Sequence, residues 1–167
     1  MKSIWAPWRM IYIEDNSRKE ECIFCDKLKE EDARSALVLA ETDFSLVMLN
    51  KFPYNNGHLL LAPKRHGNQI SLLPLEEYQD LCDALRSSVE IVGEVLKPAG
   101  MNVGMNLGRS AGAGVEDHLH WHVVPRWEGD TNFMPVVGEV RVISQHLLES
   151  YERLRPFFQG RFARKHG

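Results

Sequence analysis

The segment from residue 74 to residue 97 constrains the fold more than any other part of the sequence. Its apolar residues recur from Leu75 to Leu96 at the 3.6-residue period of a helix. Pro74 favours a helix start and Pro98 favours its end. A helix of about six turns must bury its apolar stripe against another layer of structure.

Short apolar segments on both sides of this helix predict strands. Glu41-Thr42-Asp43 is short enough for a hairpin turn, so neighbouring strands are expected to pair antiparallel. Gln145–Phe158 predicts a last helix, whose end Pro156 should disturb. The order predicts an α+β fold, an antiparallel sheet with one long helix and a C-terminal helix. The predicted strands are Ala36–Glu41, Phe44–Asn50, His58–Ala62, Met101–Leu107, His118–Val124 and Val136–Ile143.

Length and charge limit the class of protein. The 167 residues have the length of one domain, so residues 1–167 are predicted to form a single domain. The formal net charge is −3, which argues against a broad basic face for nucleic acid. The longest apolar runs are shorter than the ~20 residues of a membrane span, and Pro7 and Arg9 interrupt any signal peptide. The sequence therefore predicts a soluble cytoplasmic protein with neither nucleic acid nor a membrane as a partner, and it leaves a small anionic ligand possible.

Three histidines, at positions 118, 120 and 122, alternate with apolar residues. On a strand these imidazoles would point to one face, and each would need a partner if buried. The pattern favours either a metal site or nucleophilic catalysis by an imidazole. The preceding glycine-rich loop, Gly108–Asp117, could surround an anionic oxygen with backbone N–H groups.

Cys22-Ile-Phe-Cys25 has the spacing of half a zinc site. A redox pair and a chance spacing are the alternatives. A thioredoxin-like redox motif needs a βαβ context, which this segment lacks. Zinc would need two further ligands.

Residues 118–124 fit the pattern His-φ-His-φ-His-φ-φ, with φ apolar, and so resemble the signature of the histidine triad superfamily. Gly57–His66, with the sequence GHLLLAPKRH, resembles that family's upstream strand. The resemblance covers roughly residues 20–126. Further segments resemble the bacterial diadenosine tetraphosphate phosphorylase branch of the family: Trp5–Met10, Ala111–Val115, Val123–Trp127 and Gly129–Met134.

The resemblance implies nucleotidyl transfer through a covalent nucleotidyl-histidine. His120 would attack the α-phosphorus of a diadenosine polyphosphate, with water or inorganic phosphate as the acceptor. His122 would help to bind the α-phosphate and the leaving oxygen, and His58 would belong to the supporting histidines. Some transferases of the superfamily carry Gln at the third triad position, so His122 does not favour phosphate as the acceptor.

The resemblance also implies residues that bind the substrate. The Asn106 side chain and backbone N–H groups of Gly112, Ala113 and Gly114 would bind the α-phosphate and its developing charge. Apolar residues of the first strands would hold the purine. The candidates near the nucleoside are Phe44, Leu49, Asn50 and Phe52.

A structural zinc ion, Zn²⁺, is the implied cofactor. Its ligands would be Cys22, Cys25, His66 and His118, and four protein ligands would leave no open position for water. Family members usually pair through the long helix and an edge strand, so the resemblance also implies a homodimer.

Three other functions remain open at the level of sequence. A purine nucleoside phosphoramidase would use the same nucleophile on a different leaving group. A purine-nucleotide binding module would bind AMP without turnover. A three-histidine metalloenzyme would hold a catalytic metal on the triad itself.

Overall fold

The computed structural model describes residues 22–130 and 146–163. Five strands of these residues form one antiparallel sheet in the order β1-β2-β3-β5-β4. The predicted α+β architecture is confirmed. The strands are β1 (Val38–Glu41), β2 (Ser45–Leu49), β3 (Leu59–Pro63), β4 (Gly100–Met105) and β5 (Trp121–Arg126), and the helices are α1 (Ile23–Lys27), α2 (Leu75–Leu96) and α3 (Leu147–Phe162).

The sheet is covered on both faces. Leucine and valine side chains of the strands pack against α2 and α3 on one face, which we call the helix face. The opposite face, which we call the histidine face, is covered by α1 through Phe24. Because successive strand residues alternate between faces, each strand contributes to both layers. The histidine face is built from Val38, Leu46, Met48, Leu60 and Ala62.

The long helix α2 has nearly the predicted bounds. It ends where Lys97 takes a left-handed conformation, with φ of 49°, and donates its N–H to the Gly93 carbonyl. The start of the predicted apolar stripe was wrong, since Leu75 is 70% exposed. Glu77 is buried there instead, paired with Arg65. Across residues 22–130 and 146–163, no helix has the length and apolar character needed to cross a membrane.

The C-terminal helix α3 continues through Pro156 and ends at Phe162, four residues beyond the predicted end. Proline removes one backbone N–H donor and crowds the preceding turn. Leu154 and Phe158 lie on either side of it, and both are fully buried in the helix-face core. This burial stabilises the helical path on both sides of Pro156.

The strand predicted over His118–Val124 begins only at Trp121. Its ladder with β3 ends at the pair Leu61 and Trp121. Two residues further along β3 lies Pro63, which has no N–H to donate. The N–H of Leu119 donates instead to the Gly67 carbonyl at 2.8 Å. The strand predicted over residues 136–143 lies outside the described residues.

Candidate active site

His122, the second residue of β5, lies on the histidine face. Its backbone partners are Leu60 of β3 and Gly104 of β4. Directly paired residues share a face, so His122 projects beside Leu60. Nothing lies within 4 Å of the position that a Cβ would take at Gly104. The surface beside the His122 ring is therefore open above β4.

His58, which immediately precedes β3, fixes the proton arrangement of His122. His58 is fully buried, and its Nε2 lies 2.9 Å from Nδ1 of His122. Its Nδ1 accepts the Tyr54 N–H at 3.0 Å and faces Nδ2 of Asn50 at 3.3 Å. The Asn50 amide is oriented because its Oδ1 accepts the Phe52 N–H.

These donors leave His58 one tautomer. Its Nδ1 accepts, so the neutral ring carries its hydrogen on Nε2 and donates it to Nδ1 of His122. His122 must then carry its own hydrogen on Nε2. Burial, followed by the charge of His120, lowers the pKa of His122 to about 4. At neutral pH the ring is therefore uncharged and presents an N–H donor at Nε2.

His120 has the other tautomer, in which Nε2 carries a lone pair and Nδ1 carries the hydrogen. Its Nδ1 lies 2.8 Å from the His118 carbonyl oxygen, which can only accept, so Nδ1 carries the hydrogen. The lone pair is then on Nε2. Burial lowers the pKa of His120, and its ring centroid lies 4.9 Å from that of His122. A neutral imidazole with a lone pair beside an N–H donor can attack an electrophile and hydrogen-bond its oxygen.

His118 faces away from this pair, towards the two cysteines of the Cys-x-x-Cys segment. Its Nε2 donates to the Pro63 carbonyl at 2.7 Å, which leaves the lone pair on Nδ1. That Nδ1 lies 3.2 Å from Sγ of Cys22 and 3.7 Å from Sγ of Cys25. Nδ1 of His66 lies 3.5 Å from Sγ of Cys25. The structure thus brings all four predicted ligands together.

This donor set fits zinc. The four ligand atoms lie within 4.8 Å of one another. A tetrahedral zinc ion with two sulfur and two nitrogen ligands separates those atoms by about 3.3–3.8 Å. The hydrogen bond from Nε2 of His118 to a carbonyl is the usual outer support of a metal-bound imidazole. The arrangement can therefore hold a metal ion away from the face where His120 and His122 meet.

A family model described as HIT domain matches residues 31–129. The chain belongs to the HIT domain family. The match takes in all five strands, α2 and the histidines of both clusters. The resemblance of residues 118–124 to the histidine triad signature is thereby confirmed.

Relatives of this HIT protein include enzymes with named activities. It is 35% identical to AP-4-A phosphorylase of Mycobacterium tuberculosis, over 92% of this chain and 82% of the relative. It is 34% identical to adenosine 5'-monophosphoramidase hnt1 of Schizosaccharomyces pombe, over 63% and 74%. A crystal structure of a Zn-bound histidine triad family protein from Mycobacterium smegmatis has a TM-score of 0.67 and 26% identity, covering 86% of this chain and 96% of that one. These names support the broad class of nucleotide hydrolase or transferase.

Two aromatic residues of the HIT site escaped the sequence analysis. The Phe24 ring is buried with its centroid 5.0 Å from those of both His118 and His120. The Tyr54 ring lies 4.8 Å from His58 and 5.9 Å from His122. The position of Phe24 between two predicted metal ligands was a usable signal. Tyr54 lies in a turn sequence that gave none.

The glycine-rich loop of the HIT domain is folded on itself. Its N–H groups at Gly112 and Ala113 donate to loop carbonyls at 2.9 and 3.3 Å. Nδ2 of Asn106 donates to the Gly112 carbonyl at 3.4 Å. Asn106 therefore lies beside the loop, as the predicted phosphate site requires, but a phosphate would have to replace these bonds.

The residues predicted near the nucleoside lie in different surroundings. Leu49 was a wrong candidate, because it is fully buried on the helix face, away from the histidines. Asn50 lies against His58. Phe52 is 44% exposed and remains accessible to a ligand.

Proposed function

We propose that this protein cleaves diadenosine polyphosphates, diadenosine tetraphosphate foremost, through a covalent nucleotidyl-histidine on His120. The observation that carries the proposal is the pairing of a lone pair on Nε2 of His120 with a hydrogen on Nε2 of His122, each set by a hydrogen bond at Nδ1. The similarity to AP-4-A phosphorylase of M. tuberculosis supports the choice of substrate.

In the first half-reaction Nε2 of His120 attacks the α-phosphorus. A nitrogen–phosphorus bond forms, and the bond from phosphorus to the bridging oxygen breaks. The electron pair leaves with that oxygen, so that ATP departs from diadenosine tetraphosphate as an anion. The Nε2–H of His122 hydrogen-bonds the oxygen on which charge develops. The His118 carbonyl accepts from Nδ1 of His120 and stabilises the positive charge that the nucleotidylated ring acquires.

In the second half-reaction an acceptor oxygen attacks the same phosphorus and the nitrogen–phosphorus bond breaks. Its electron pair returns to Nε2 of His120. Inorganic phosphate as the acceptor gives ADP, whereas water gives AMP and releases its proton to solvent. Asn106, Gly112, Ala113 and Gly114 are assigned to the α-phosphate, and His58 to the support of His122.

Cys22, Cys25, His66 and His118 are assigned to one structural zinc ion. Bound there, zinc would neutralise two thiolates, and the four residues would hold α1 and the His118 backbone in place. Four protein ligands leave no position for a substrate. The Zn-bound relative from M. smegmatis supports this assignment.

The second candidate function is phosphoramidase activity. It is favoured by the similarity to adenosine 5'-monophosphoramidase hnt1 of S. pombe. The nucleophile would again be His120, and an amine would replace the polyphosphate as the leaving group.

The homodimer implied by the family resemblance would use the outer edge of β4, where Val103 is 44% exposed.

The test is turnover of diadenosine tetraphosphate with and without inorganic phosphate, followed by product chromatography. ADP with ATP only in the presence of phosphate identifies a phosphorylase, and AMP with ATP in its absence identifies a hydrolase. His120→Ala should abolish both and prevent trapping of radiolabelled nucleotide on the protein. His146→Asn, which keeps a helix-capping side chain at α3, is the control and should cleave normally. Turnover of adenosine phosphoramidate far faster than of the dinucleotide would favour the second candidate.

A further inference from the structure

Residues 50–57, which we call the histidine loop, connect β2 to β3 and enclose His58. Asn50 donates its N–H to the His58 carbonyl at 2.9 Å, and the His58 N–H donates to the Asn55 carbonyl at 3.2 Å. The Tyr54 N–H reaches Nδ1 of the His58 ring. The conformation of the loop therefore decides whether a donor faces this nitrogen.

The loop is fastened to the end of β5 through one side chain. Nδ2 of Asn55 donates to Oδ2 of Asp130 at 2.6 Å and to the Pro125 carbonyl at 3.1 Å. The Asp130 side chain is 11% exposed. Its carboxylate also accepts from Nε and Nη2 of Arg126, at 2.7 and 2.8 Å, and from the Trp127 N–H. A carboxylate held by a bidentate arginine is a well-defined anchor.

The anchor and the third triad histidine belong to the same strand. His122 lies within β5, and Arg126 is its last residue. The loop is thus tied to β5 at His58 through the imidazole pair, and at Asn55 through the Asp130 carboxylate and the Pro125 carbonyl. Release of the tie at Asn55 would let the neighbouring Tyr54 backbone move its N–H away from Nδ1 of His58, while the Tyr54 ring still packs on His58.

Loss of the Tyr54 donor would allow His58 the other tautomer, with its hydrogen on Nδ1. Nε2 of His58 would then accept a hydrogen from Nδ1 of His122, and Nε2 of His122 would carry a lone pair. In that state His122 cannot donate to the oxygen on which charge develops. Asn50 also donates to Nδ1 of His58, at the longer distance of 3.3 Å, so release would shift the tautomer ratio and not invert it completely.

We propose that Asn55 and Asp130 are positioning residues, which anchor Tyr54 and so hold the hydrogen of His122 on Nε2. Their effect on turnover rests on the proposed function. Their effect on the tautomers does not, because it is present in the protein without substrate.

The test uses the full chain labelled with ¹⁵N at histidine, whose imidazole ¹⁵N shifts report which nitrogen carries hydrogen. The wild type should show His58 and His122 each protonated at Nε2 alone. Asn55→Ala and Asp130→Asn should add the Nδ1-protonated form of both rings. Unchanged tautomers in both folded variants would overturn the proposal, whether or not the protein cleaves dinucleotides.

Asn102→Ala is the matched control. Oδ1 of Asn102 accepts from Nη1 of Arg126, so the substitution removes a contact of the same arginine and leaves Asp130 with Asn55. This variant should keep the wild-type tautomers. The double variant Asn55→Asp with Asp130→Asn again places a carboxylate opposite an amide donor, with the two roles exchanged. It should restore the wild-type tautomers in part, whereas Asn55→Asp alone should not. Equal shifts in the control and in Asn55→Ala would also overturn the proposal.

Activity is the second readout. For whichever nucleotide substrate the wild type cleaves, kcat of Asn55→Ala should fall about tenfold with KM changed by less than about threefold, because the lost donor acts on the developing charge. A fall in kcat with normal tautomers would show a merely structural role. If the wild type cleaves no nucleotide but the variants show shifted tautomers, the proposed function is wrong and the positioning role of Asn55 and Asp130 stands.

Discussion

At the scale of single residues, the site depends on which nitrogen of each imidazole carries hydrogen. His58, His118 and His120 each have one ring nitrogen committed to a backbone group, and His58 in turn determines His122. A backbone N–H or carbonyl cannot exchange donor and acceptor roles as a hydroxyl can. The rings therefore hold, before any substrate binds, the tautomers that the proposed mechanism requires.

Phe24→Ala tests the packing behind the triad. The ring is 1% exposed and contacts both His118 and His120, so its removal leaves a cavity beside them. We expect the free energy of unfolding to fall by about 3–5 kcal/mol, measured by urea denaturation. Phe157→Ala, at a side chain that is 50% exposed on α3, should change it by less than about 1 kcal/mol. Equal losses in the two variants would contradict the assigned packing.

At the scale of elements, the turn before β3 has to approach α2 closely. Gly57 has φ of +69°, and a Cβ there would overlap Cδ1 of Leu96. Gly57→Ala should therefore destabilise the protein by roughly 1–2 kcal/mol, chiefly through the left-handed backbone, since the end of the Leu96 side chain can shift. Gly67→Ala is the control, since nothing lies within 4 Å of the Cβ position there. Thermal unfolding of the two variants side by side would show the difference, and equal midpoints would contradict it.

The candidate metal site of Cys22, Cys25, His66 and His118 would join α1 to the segment that follows β3 and to the segment that precedes β5. Cys22→Ser should lose bound zinc, measured by metal analysis of the purified protein, and should lower the unfolding temperature because α1 loses its tie to the sheet. Cys82→Ser, on α2 and outside the four-residue cluster, should keep its zinc. Zinc retained in full by the Cys22 variant would contradict the ligand set.

At the scale of the whole molecule, stability depends on keeping the buried histidines uncharged. The pKa of His122 lies near 4 because of burial, whereas an unfolded histidine titrates near 6.5. Between these values the unfolded chain binds the extra proton and the folded chain does not, so stability falls as pH falls. Above about pH 6.5 the contribution of His122 to the free energy of unfolding is complete. Below about pH 4 both states bind the proton, so this histidine causes no further loss of stability.

The corresponding measurement is the free energy of unfolding from about pH 7.5 to about pH 4.5. Burial also lowers the pKa of His118 and His120, which adds to the loss in the same direction. His122→Asn should reduce the slope over this range. A slope equal to that of the wild type would show that His122 does not titrate as the structure indicates.

The sequence by itself determined the main elements and which of them carry the histidines and cysteines. The 3.6-residue period fixed α2 to within one residue at each end, the alternation placed His122 opposite the apolar side chains of its strand, and the Cys-x-x-Cys spacing named half of a metal site. These are local patterns, because the spacing of apolar residues over a short segment shows which face of the element is buried. The single-domain prediction for residues 1–167 and the zinc itself stay predictions.

Only the tertiary structure decided which residues meet. The β3-β5 pairing brings His58 to His122, 64 positions apart, and the end of β5 brings Asp130 to Asn55, 75 positions apart. The same pairing makes β5 begin only at Trp121, opposite Leu61, since Pro63 two residues further along β3 cannot donate to a longer ladder. A one-dimensional pattern records the face that a side chain takes and not its partner across the sheet. The histidine tautomers on which the proposed mechanism depends follow from those partners, and so could not be read from the sequence.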